Sequence, residues 1–246
     1  MEALVVREDA GGVAKLVLNR PDKLNALTVE LFEELEQHIA DIAADSTVNA
    51  VVIRGAGRCF SAGNDLQGIA AGKAHDRPNY QAHVIEALAT LPQPVIAGVH
   101  GHCYTGALEL ALAADLIVAA ASARFADTHA KFSMTPIWGM SQRLPRRVGA
   151  YKAREMMFTC RTYSGEEAAA MGLANVCVPD EAFGQALEDL AATVAGLSPH
   201  SQRANKRMLL ETDGLPLAAG LAHEVFHSAG RGPDMEQRIA AFQSRR

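Results

Sequence analysis

The chain has 246 residues, of which 49% are hydrophobic, and its 23 Lys and Arg against 28 Asp and Glu give a formal net charge of −5. This length fits one large domain or two small ones, and the apolar fraction suffices for a sizeable core. The basic cluster of Arg143, Arg146 and Arg147 is too short for an extended nucleic-acid surface, so no nucleic-acid partner is expected.

Cysteine usage and hydropathy indicate the compartment. The four cysteines are widely spaced and form no CxxC pair, which favours a reducing compartment over a disulfide framework. Glu2 and Arg7 near the N-terminus argue against a signal peptide. The most apolar stretch, residues 107–121, contains Glu109 and Asp115 and is too short for a membrane span. We expect a cytosolic or organelle-matrix protein, with a cytoplasmic location as the primary prediction and no membrane partner.

The predicted elements begin with a β-hairpin. Residues 3–6 and 13–18 are β-branched runs, and Gly11-Gly12 between them is typical of a tight turn. Thr28 suits the N-cap of a helix, because apolar residues repeat at helical spacing from there to about residue 44.

Strands and helices then alternate along the chain, with a mostly helical pattern after Pro136. The predicted strands are 50–54, 94–99, 116–120 and one near 174–178, and the predicted helices include 80–90 and 106–114. Such alternation indicates βαβ units, a largely parallel sheet and the α/β class. No linker rich in Pro, Gly or Ser precedes the helical part, so we expect a core domain at 1–195 and a helical C-terminal extension at 196–246 in the same structural unit.

Three segments resemble functional motifs without completing them. Gly55-Ala56-Gly57 follows a strand, but Phe60 stands where the dinucleotide-binding fingerprint needs its third glycine. Ser61 lies in half of a nucleophile elbow, but Cys59 replaces the required glycine. The run His100-Gly101-His102-Cys103 has no matching Cys/His cluster elsewhere, so we expect a structural role there and no metal site.

Two connections between a strand and a helix carry the chemistry that we expect. Residues 59–66 and 95–110 each end a strand, pass through small residues and begin a helix. Free N–H groups at helix starts suit a developing negative charge. A thioester oxygen held by the N–H groups of Asn64 and Gly106 would lie with its α- and β-carbons near Glu109, which is about one helical turn beyond Gly106. The alternative, a surface acid on an amphipathic helix, is disfavoured because the neighbours of Glu109 are apolar.

At these residues the sequence resembles the crotonase (enoyl-CoA hydratase/isomerase) superfamily through almost its whole length. The matching segments are 19–27 (NRPDKLNAL), 60–66 (FSAGNDL), 94–101 (PVIAGVHG), 106–109 (GALE), 114–116 (ADL) and 142–144 (QRL). Their order and spacing together carry the resemblance. It implies a crotonase-like spiral of ββα units, a helical C-terminal trimerisation region, and assembly as a homotrimer or a dimer of trimers.

The resemblance also implies site residues. Asn64 and Gly106 would supply the oxyanion-hole N–H groups for an acyl-CoA; coenzyme A enters as the substrate's thioester, so no separate cofactor is expected. The positions that match CoA- and substrate-binding segments of the family are Lys23, Leu24, Ala26, Ala62, Gly63, Asp65 and Leu66. Lys23 would meet a CoA phosphate, and an exposed loop lysine is the equal alternative.

Hydratases of this family generally use two glutamates, and the chain matches only the first of them, Glu109. The second position is His129, because the segments on either side align without a gap. Asp127 and Thr128 are adjacent, but they would point elsewhere if the segment is extended. Glu109 is the expected catalytic base, and His129 the acid or the group that orients water. A loop-packing role for His129 is the alternative.

Three functions follow from these residues. The primary prediction is hydration of a 2-enoyl-CoA by Glu109 and His129. The second is another reaction through the same enolate: double-bond isomerisation, C–C cleavage or thioester hydrolysis. The third is a non-catalytic acyl-CoA-binding homologue, which the presence of Glu109 beside Gly106 disfavours. Residues 67–80 are expected to border the acyl pocket, and Trp138 to pack in the core or to wall the same pocket.

Overall fold

The computed structural model describes residues 2–244, so the outermost residues of the predicted ranges 1–195 and 196–246 lie outside the described part. Within residues 2–244 the strands are β1 (Val5–Ala10), β2 (Val13–Leu18), β3 (Ala50–Gly55), β4 (Val95–Val99), β5 (His102–Tyr104), β6 (Leu116–Ala120), β7 (Arg124–Ala126), β8 (Tyr163–Ser164) and β9 (Val176–Val178). The helices of the same residues are α1 (Val29–Ala44), α2 (Leu66–Ala70), α3 (Tyr80–Ala89), α4 (Gly106–Leu112), α5 (Met140–Val148), α6 (Ala150–Thr159), α7 (Gly165–Ala170), α8 (Asp180–Gly196), α9 (Pro199–Thr212), α10 (Leu217–His227) and α11 (Met235–Gln243), with 3₁₀ turns at Pro21–Lys23 and His129–Phe132.

The strands form two sheets, and the chain passes from one to the other repeatedly. The larger sheet has the order β1-β2-β3-β4-β6-β9, in which every pair except β1 with β2 is parallel. The smaller sheet has the order β5-β7-β8. The steps from β4 to β5 and from β6 to β7 leave the larger sheet for the smaller one. The chain returns through α4 to β6, and, after β8, through α7 to β9. This confirms the predicted α/β spiral.

The first hairpin differs in position from the sequence prediction. β1 runs from Val5 to Ala10 instead of covering residues 3–6, because Ala10 pairs directly with Val13. Gly11 and Gly12 close the two-residue turn with φ of +58° and +80°, a conformation that glycine adopts readily. The extent of β1 is therefore set by its pairing with β2 across the tight turn rather than by the β-branched residues within it.

The helix predicted at 28–44 is present as α1, and it anchors the loop that precedes it. Thr28 caps the helix, since its Oγ1 accepts a hydrogen bond from Leu31 N–H. Leu31, Leu35 and Ile39 are buried on one face and belong to the main hydrophobic core. A second cluster lies on the opposite side of the larger sheet, where α8 covers alternate strand residues.

The C-terminal part is helical, as predicted, and α9 docks on the core through one buried lysine. Lys206 Nζ lies 2.7 Å from Asp115 Oδ2 and donates to Gln93 O at 3.1 Å. Beyond it, α10 presents large apolar side chains to the surface, with Leu217 79% and Phe226 81% exposed. No helix in residues 2–244 has the length and apolar character to cross a membrane. The division at 195/196 falls at the end of α8 and stays a prediction.

Candidate active site

The segment after β3 carries Asn64 and is held in place by the loop before α1. Leu27 N–H donates to Gly63 O and Asp65 N–H donates to Leu27 O, both at 2.9 Å, so Asn64 lies between two backbone hydrogen bonds. Ser61 is fully buried, and its hydroxyl donates to Asn25 O at 2.8 Å, which is a structural role. The Asn64 N–H itself meets no acceptor among residues 2–244.

Gly63 lets this segment approach the start of α4. Its φ is +100°, and a Cβ placed there would lie 2.5 Å from Tyr104 O. Both the backbone conformation and the close approach therefore require glycine. Gly63, which we predicted from its position in the CoA-binding motif, thus shapes the site through its backbone.

Gly106 begins α4 and brings the second N–H group beside the first. A Cβ on Gly106 would lie 3.4 Å from Asn64 N and 2.5 Å from Trp138 Cζ3, so the two backbone nitrogens are neighbours under the Trp138 indole. Within the described chain the Gly106 N–H has no acceptor, as expected for the first residue of a helix. Thr105, just before it, has φ +53° and ψ −108°, an uncommon conformation for a threonine.

Glu109 is buried, with 1% of its surface exposed, so the alternative of a surface acid is wrong. Its Oε1 accepts hydrogen bonds from Trp138 N–H at 2.9 Å and from Met140 N–H at 3.0 Å. Its Oε2 lies 3.8 Å from His129 Nε2. Burial raises the pKa of Glu109 and outweighs the two N–H groups and the His129 charge, which act in the opposite direction.

His129 lies at the start of a 3₁₀ turn and is 9% exposed. Its Nδ1 is 2.7 Å from Asp127 Oδ1, and its backbone N–H donates to the same oxygen at 3.0 Å. The expectation that Asp127 points elsewhere is therefore wrong. The chain leaves the extended conformation at Thr128 (φ −112°, ψ 13°), which turns His129 back onto the carboxylate.

One cavity of about 100 Å³ brings the predicted site residues together. Asn64, Gly106, Glu109 and His129 all line it. Trp138 lines it as well and is only 6% exposed, with its ring edge-on to Phe32 at 5.2 Å, so it packs in the core as expected. Ile69 reaches the same cavity from the segment 67–80, and contact of either residue with an acyl chain stays a prediction.

The residues predicted to bind CoA lie around the segment that bears Asn64, and their contacts differ. Asp65 lines a larger cavity of about 700 Å³, which shares Asn64 and Ile69 with the smaller one. Its Oδ1 caps α2 by accepting from the N–H groups of Gln67 and Gly68, and Oδ2 is 3.2 Å from Arg20 Nη1.

The remaining residues of this set act through the backbone or lie on the surface. Leu24 O accepts from Ala62 N–H at 2.9 Å, and Ala26 O accepts from Arg20 Nη1 at 2.5 Å. Lys23 and Leu66 are exposed. Contact of these residues with CoA stays a prediction.

The His100–Cys103 run is engaged in local contacts. His100 Nε2 lies 2.9 Å from Gly57 O, and Cys103 is fully buried. Among residues 2–244, no three or more His, Cys, Asp or Glu side chains are arranged to hold a metal ion.

Two features of the site were missed from the sequence. The backbone N–H groups of Trp138 and Met140 come from the distant start of α5 and the residues just before it, and no local pattern predicts their contact with Glu109. Asp127 had a usable signal, because an Asp side chain often accepts from the N–H two residues later. That spacing, Asp127 to His129, fits a turn instead of an extended segment.

Comparison with known proteins agrees with this fold. The sequence profile of the family described as "Enoyl-CoA hydratase/isomerase" matches residues 8–246. A protein of Arabidopsis thaliana named "Probable enoyl-CoA hydratase 1, peroxisomal" is 33% identical over 237 residues, covering 94% of this chain and 88% of the relative. A "Probable enoyl-CoA hydratase echA12" of Mycobacterium bovis is 37% identical over 230 residues, covering 89% and 80%.

Solved structures give the same result. The crystal structure of an enoyl-CoA hydratase from Bacillus anthracis superposes with a TM-score of 0.91 at 30% sequence identity, and it covers 99% of this chain and 97% of the other. Family match, sequence relatives and fold thus agree over nearly the whole length. The chain belongs to the enoyl-CoA hydratase/isomerase family of the crotonase superfamily and is an acyl-CoA enzyme.

Proposed function

We propose that this protein adds water across the α,β double bond of a 2-enoyl-CoA thioester. The observation that carries the proposal is the placement of a buried carboxylate and an imidazole on one cavity: Glu109 Oε2 and His129 Nε2 are 3.8 Å apart. Asn64 and Gly106, whose backbone N–H groups have no acceptor in the described chain, line the same cavity.

The two N–H groups hold the thioester oxygen in this proposal. As water adds to Cβ, the electron pair of the double bond moves towards the carbonyl and charge develops on that oxygen. Donors directed at the developing charge stabilise it more than they stabilise the ground state, and a single donor of this kind contributes about 3 kcal/mol. The start of α4 adds a favourable dipole at Gly106.

Glu109 acts as the general base. Its Oε1 is occupied by the N–H groups of Trp138 and Met140, which leaves Oε2 on the side of His129 and the cavity. Oε2 takes a proton from water while the water oxygen bonds to Cβ. A carboxyl whose pKa is raised by burial is a stronger base than an exposed one and suits this step.

His129 then supplies the second proton. The protonated imidazole gives its Nε2 proton to Cα of the enolate, and the carbonyl re-forms. The proton taken up by Glu109 passes to His129, which restores both groups. The net change is one water added, with OH on Cβ and H on Cα. This sequence needs no cofactor apart from the CoA thioester that is the substrate, and we propose none.

The decisive experiment follows the loss of enoyl-thioester absorbance with short, medium and aromatic 2-enoyl-CoAs. We expect Glu109→Gln to lower kcat by about 10²–10⁴-fold, the usual contribution of a general base. The matched control is Glu8→Gln on the exposed edge of β1, which should leave the rate unchanged. Equal rates for wild type and Glu109→Gln across the panel would reject hydration and favour another crotonase-type reaction or a non-catalytic role.

We further propose that the protein assembles as a homotrimer or a dimer of trimers. The exposed apolar residues of α10, Leu217, Val225 and Phe226, support an interface on the C-terminal helices. Light scattering coupled to gel filtration should give about three or six times the chain mass of 26.2 kDa. A monomeric mass would contradict this assembly.

We propose a cytoplasmic location. All four cysteines are free, which fits a reducing compartment. Recovery of the protein in another compartment after fractionation of its native cells would contradict the assignment.

A further inference from the structure

We propose that Asp127 is a positioning residue for His129, which holds the imidazole with Nε2 towards Glu109. This rests on the proposed hydration by Glu109 and His129. Asp127 is 1% exposed, and it lies outside the pair of groups that touch the substrate in that mechanism.

A single oxygen of Asp127 contacts both the backbone N–H and the imidazole ring of His129. Oδ1 accepts the backbone N–H of His129 at 3.0 Å and lies 2.7 Å from its Nδ1. Because an ionised carboxylate only accepts hydrogen bonds, Nδ1 is the donor in this contact. The opposite ring nitrogen, Nε2, is thereby directed at Glu109 Oε2, 3.8 Å away. The contact sets both the orientation of the ring and the nitrogen that meets the substrate.

The segment that bears Asp127 is itself tied to the oxyanion hole. Thr105 N–H donates to Ala126 O at 2.8 Å, and Thr128 N–H donates to Thr105 Oγ1 at 3.1 Å. The hydroxyls of Thr105 and Thr128 are 2.5 Å apart. The residues on both sides of Asp127 therefore contact Thr105, the residue before Gly106. This arrangement fixes His129 relative to the N–H groups that hold the thioester oxygen.

Two carboxylates face the His129 ring, one from its own loop and one from α4. They are Asp127 and Glu109. The helix that packs against the 3₁₀ turn is α6, and its charged residues are engaged elsewhere. Lys152 pairs with Glu155 at 2.6 Å, and the Arg154 guanidinium lies 5.4 Å from the Tyr151 ring centre. Asp127 is thus the carboxylate that holds the ring from its own loop, while Glu109 faces the opposite ring nitrogen.

The test is Asp127→Asn, which keeps an oxygen that can accept the His129 N–H and removes the charge. We expect kcat to fall by at most about 10²–10⁴-fold, the contribution of a general acid, because the imidazole loses the contact that orients it. KM should stay within about threefold, because the backbone N–H groups that hold the thioester oxygen are unchanged. Asp127→Glu keeps the carboxylate and should recover part of the lost kcat.

A double-mutant cycle separates this inference from the proposed function. If Asp127 acts through His129, Asp127→Asn should have no further effect on kcat in a His129→Ala background. Additive losses, or an effect of Asp127→Asn that appears in KM and not in kcat, would overturn the positioning role even if Glu109→Gln abolishes hydration. No effect of Glu109→Gln would instead overturn the proposed function. Asp180→Asn is the matched control, since Asp180 Oδ1 also accepts a backbone N–H, from Ser122, but lies outside the site.

The fold of each variant is checked by its thermal melting curve. Asp127→Asn replaces a carboxylate by an amide of the same shape, so its melting temperature is expected within a few degrees of wild type. If Asp127→Asn does not fold, the kinetics of Asp127→Glu decide. A kcat loss that disappears in the His129→Ala background supports the positioning role, and a loss of equal size in both backgrounds contradicts it.

Discussion

At the scale of the residue, Glu109 combines two opposing requirements. Function needs a carboxylate in the cavity, whereas burial favours the neutral acid and raises the pKa. Hydrogen bonds from two backbone N–H groups reduce the free-energy cost of burying the charged carboxylate without removing it. Active-site groups of this kind commonly lower the stability of the fold that holds them.

We predict that Glu109→Gln melts at the same temperature as wild type or higher at neutral pH. The amide oxygen can accept the same two N–H groups and carries no charge. Because the pKa of Glu109 is higher in the folded than in the unfolded protein, ionisation costs stability above the folded pKa, and this cost disappears below the unfolded value. Melting curves from pH 4 to pH 8 should therefore show a difference that grows with pH. A lower melting temperature for Glu109→Gln at every pH would contradict this.

Gly106 is the second residue with both a packing role, against Trp138, and a role in the proposed chemistry, through its N–H group. We predict that Gly106→Ala destabilises the protein by about 1–3 kcal/mol through overpacking, because the new Cβ would lie 2.5 Å from Trp138 Cζ3. Displacing this N–H should also lower kcat by about 10²-fold or more. Chemical denaturation and initial rates measure the two effects.

Gly184→Ala in α8 is the matched control for this substitution. A Cβ at Gly184 meets nothing within 4 Å, and alanine favours a helix by about 0.5–1 kcal/mol over glycine. The control should therefore be as stable as wild type or more stable. Similar losses at both positions would show that the Trp138 contact is not the cause.

At the scale of the element, local sequence predicts structure best where an element's own residues supply its cap and its apolar face. α1 has its cap at Thr28 and one apolar face, and it lies where expected. α4 ends at Leu112 instead of residue 114, because the N–H groups of Ala113 and Ala114 bond to carbonyls three residues back and tighten the last turn. The turn at His129–Phe132 depends on the Asp127 side chain, which a pattern of apolar residues does not reveal.

We predict that Asp65→Ala raises KM for enoyl-CoA more than it lowers kcat. The change removes the cap of α2, which costs about 1 kcal/mol, and the contact with Arg20. It loosens the helix that carries Ile69 into both cavities, whereas Asn64 keeps the hydrogen bonds of Leu27 on either side. Steady-state kinetics give kcat and KM separately. The control is Asp22→Ala, which changes an exposed acid in the preceding turn and should alter neither constant. A loss of kcat without a change in KM for Asp65→Ala would refute the role of Asp65 in substrate binding.

At the scale of the whole molecule, one ion pair joins the C-terminal helices to the spiral. Lys206 is 5% exposed and its partner Asp115 is 33% exposed, and Asp115 Oδ2 also accepts Val95 N–H at 2.7 Å. Burial lowers the pKa of Lys206. The pair thus connects α9 to the edge where β4 begins.

We predict that Lys206→Met destabilises the protein by about 1.5–3 kcal/mol, the size of a hydrogen bond to a charged group. The larger cost of a fully buried pair does not apply, because Asp115 is partly solvated. Limited proteolysis should cut faster near residue 197, where α8 ends. Lys152→Met, which breaks a surface pair with Glu155, should change stability by less than about 1 kcal/mol. Equal proteolysis of wild type and Lys206→Met would contradict the anchoring role.

The sequence by itself determined the alternation of strands and helices, which follows from periodicity. Its resemblance to the crotonase superfamily gave the family and the expected site residues Asn64, Gly106, Glu109 and His129. Their joint position on one cavity also follows from the spiral, which brings successive strand ends to the same region.

Only the tertiary structure decided how the acid is held. Glu109 accepts hydrogen bonds from N–H groups 29 and 31 residues away. Contacts between distant segments depend on the packing of the whole chain, and no local pattern encodes them. For the same reason the sequence disfavoured a surface position for Glu109 without excluding it. In the structure Glu109 is buried, and burial raises its pKa, as suits a base.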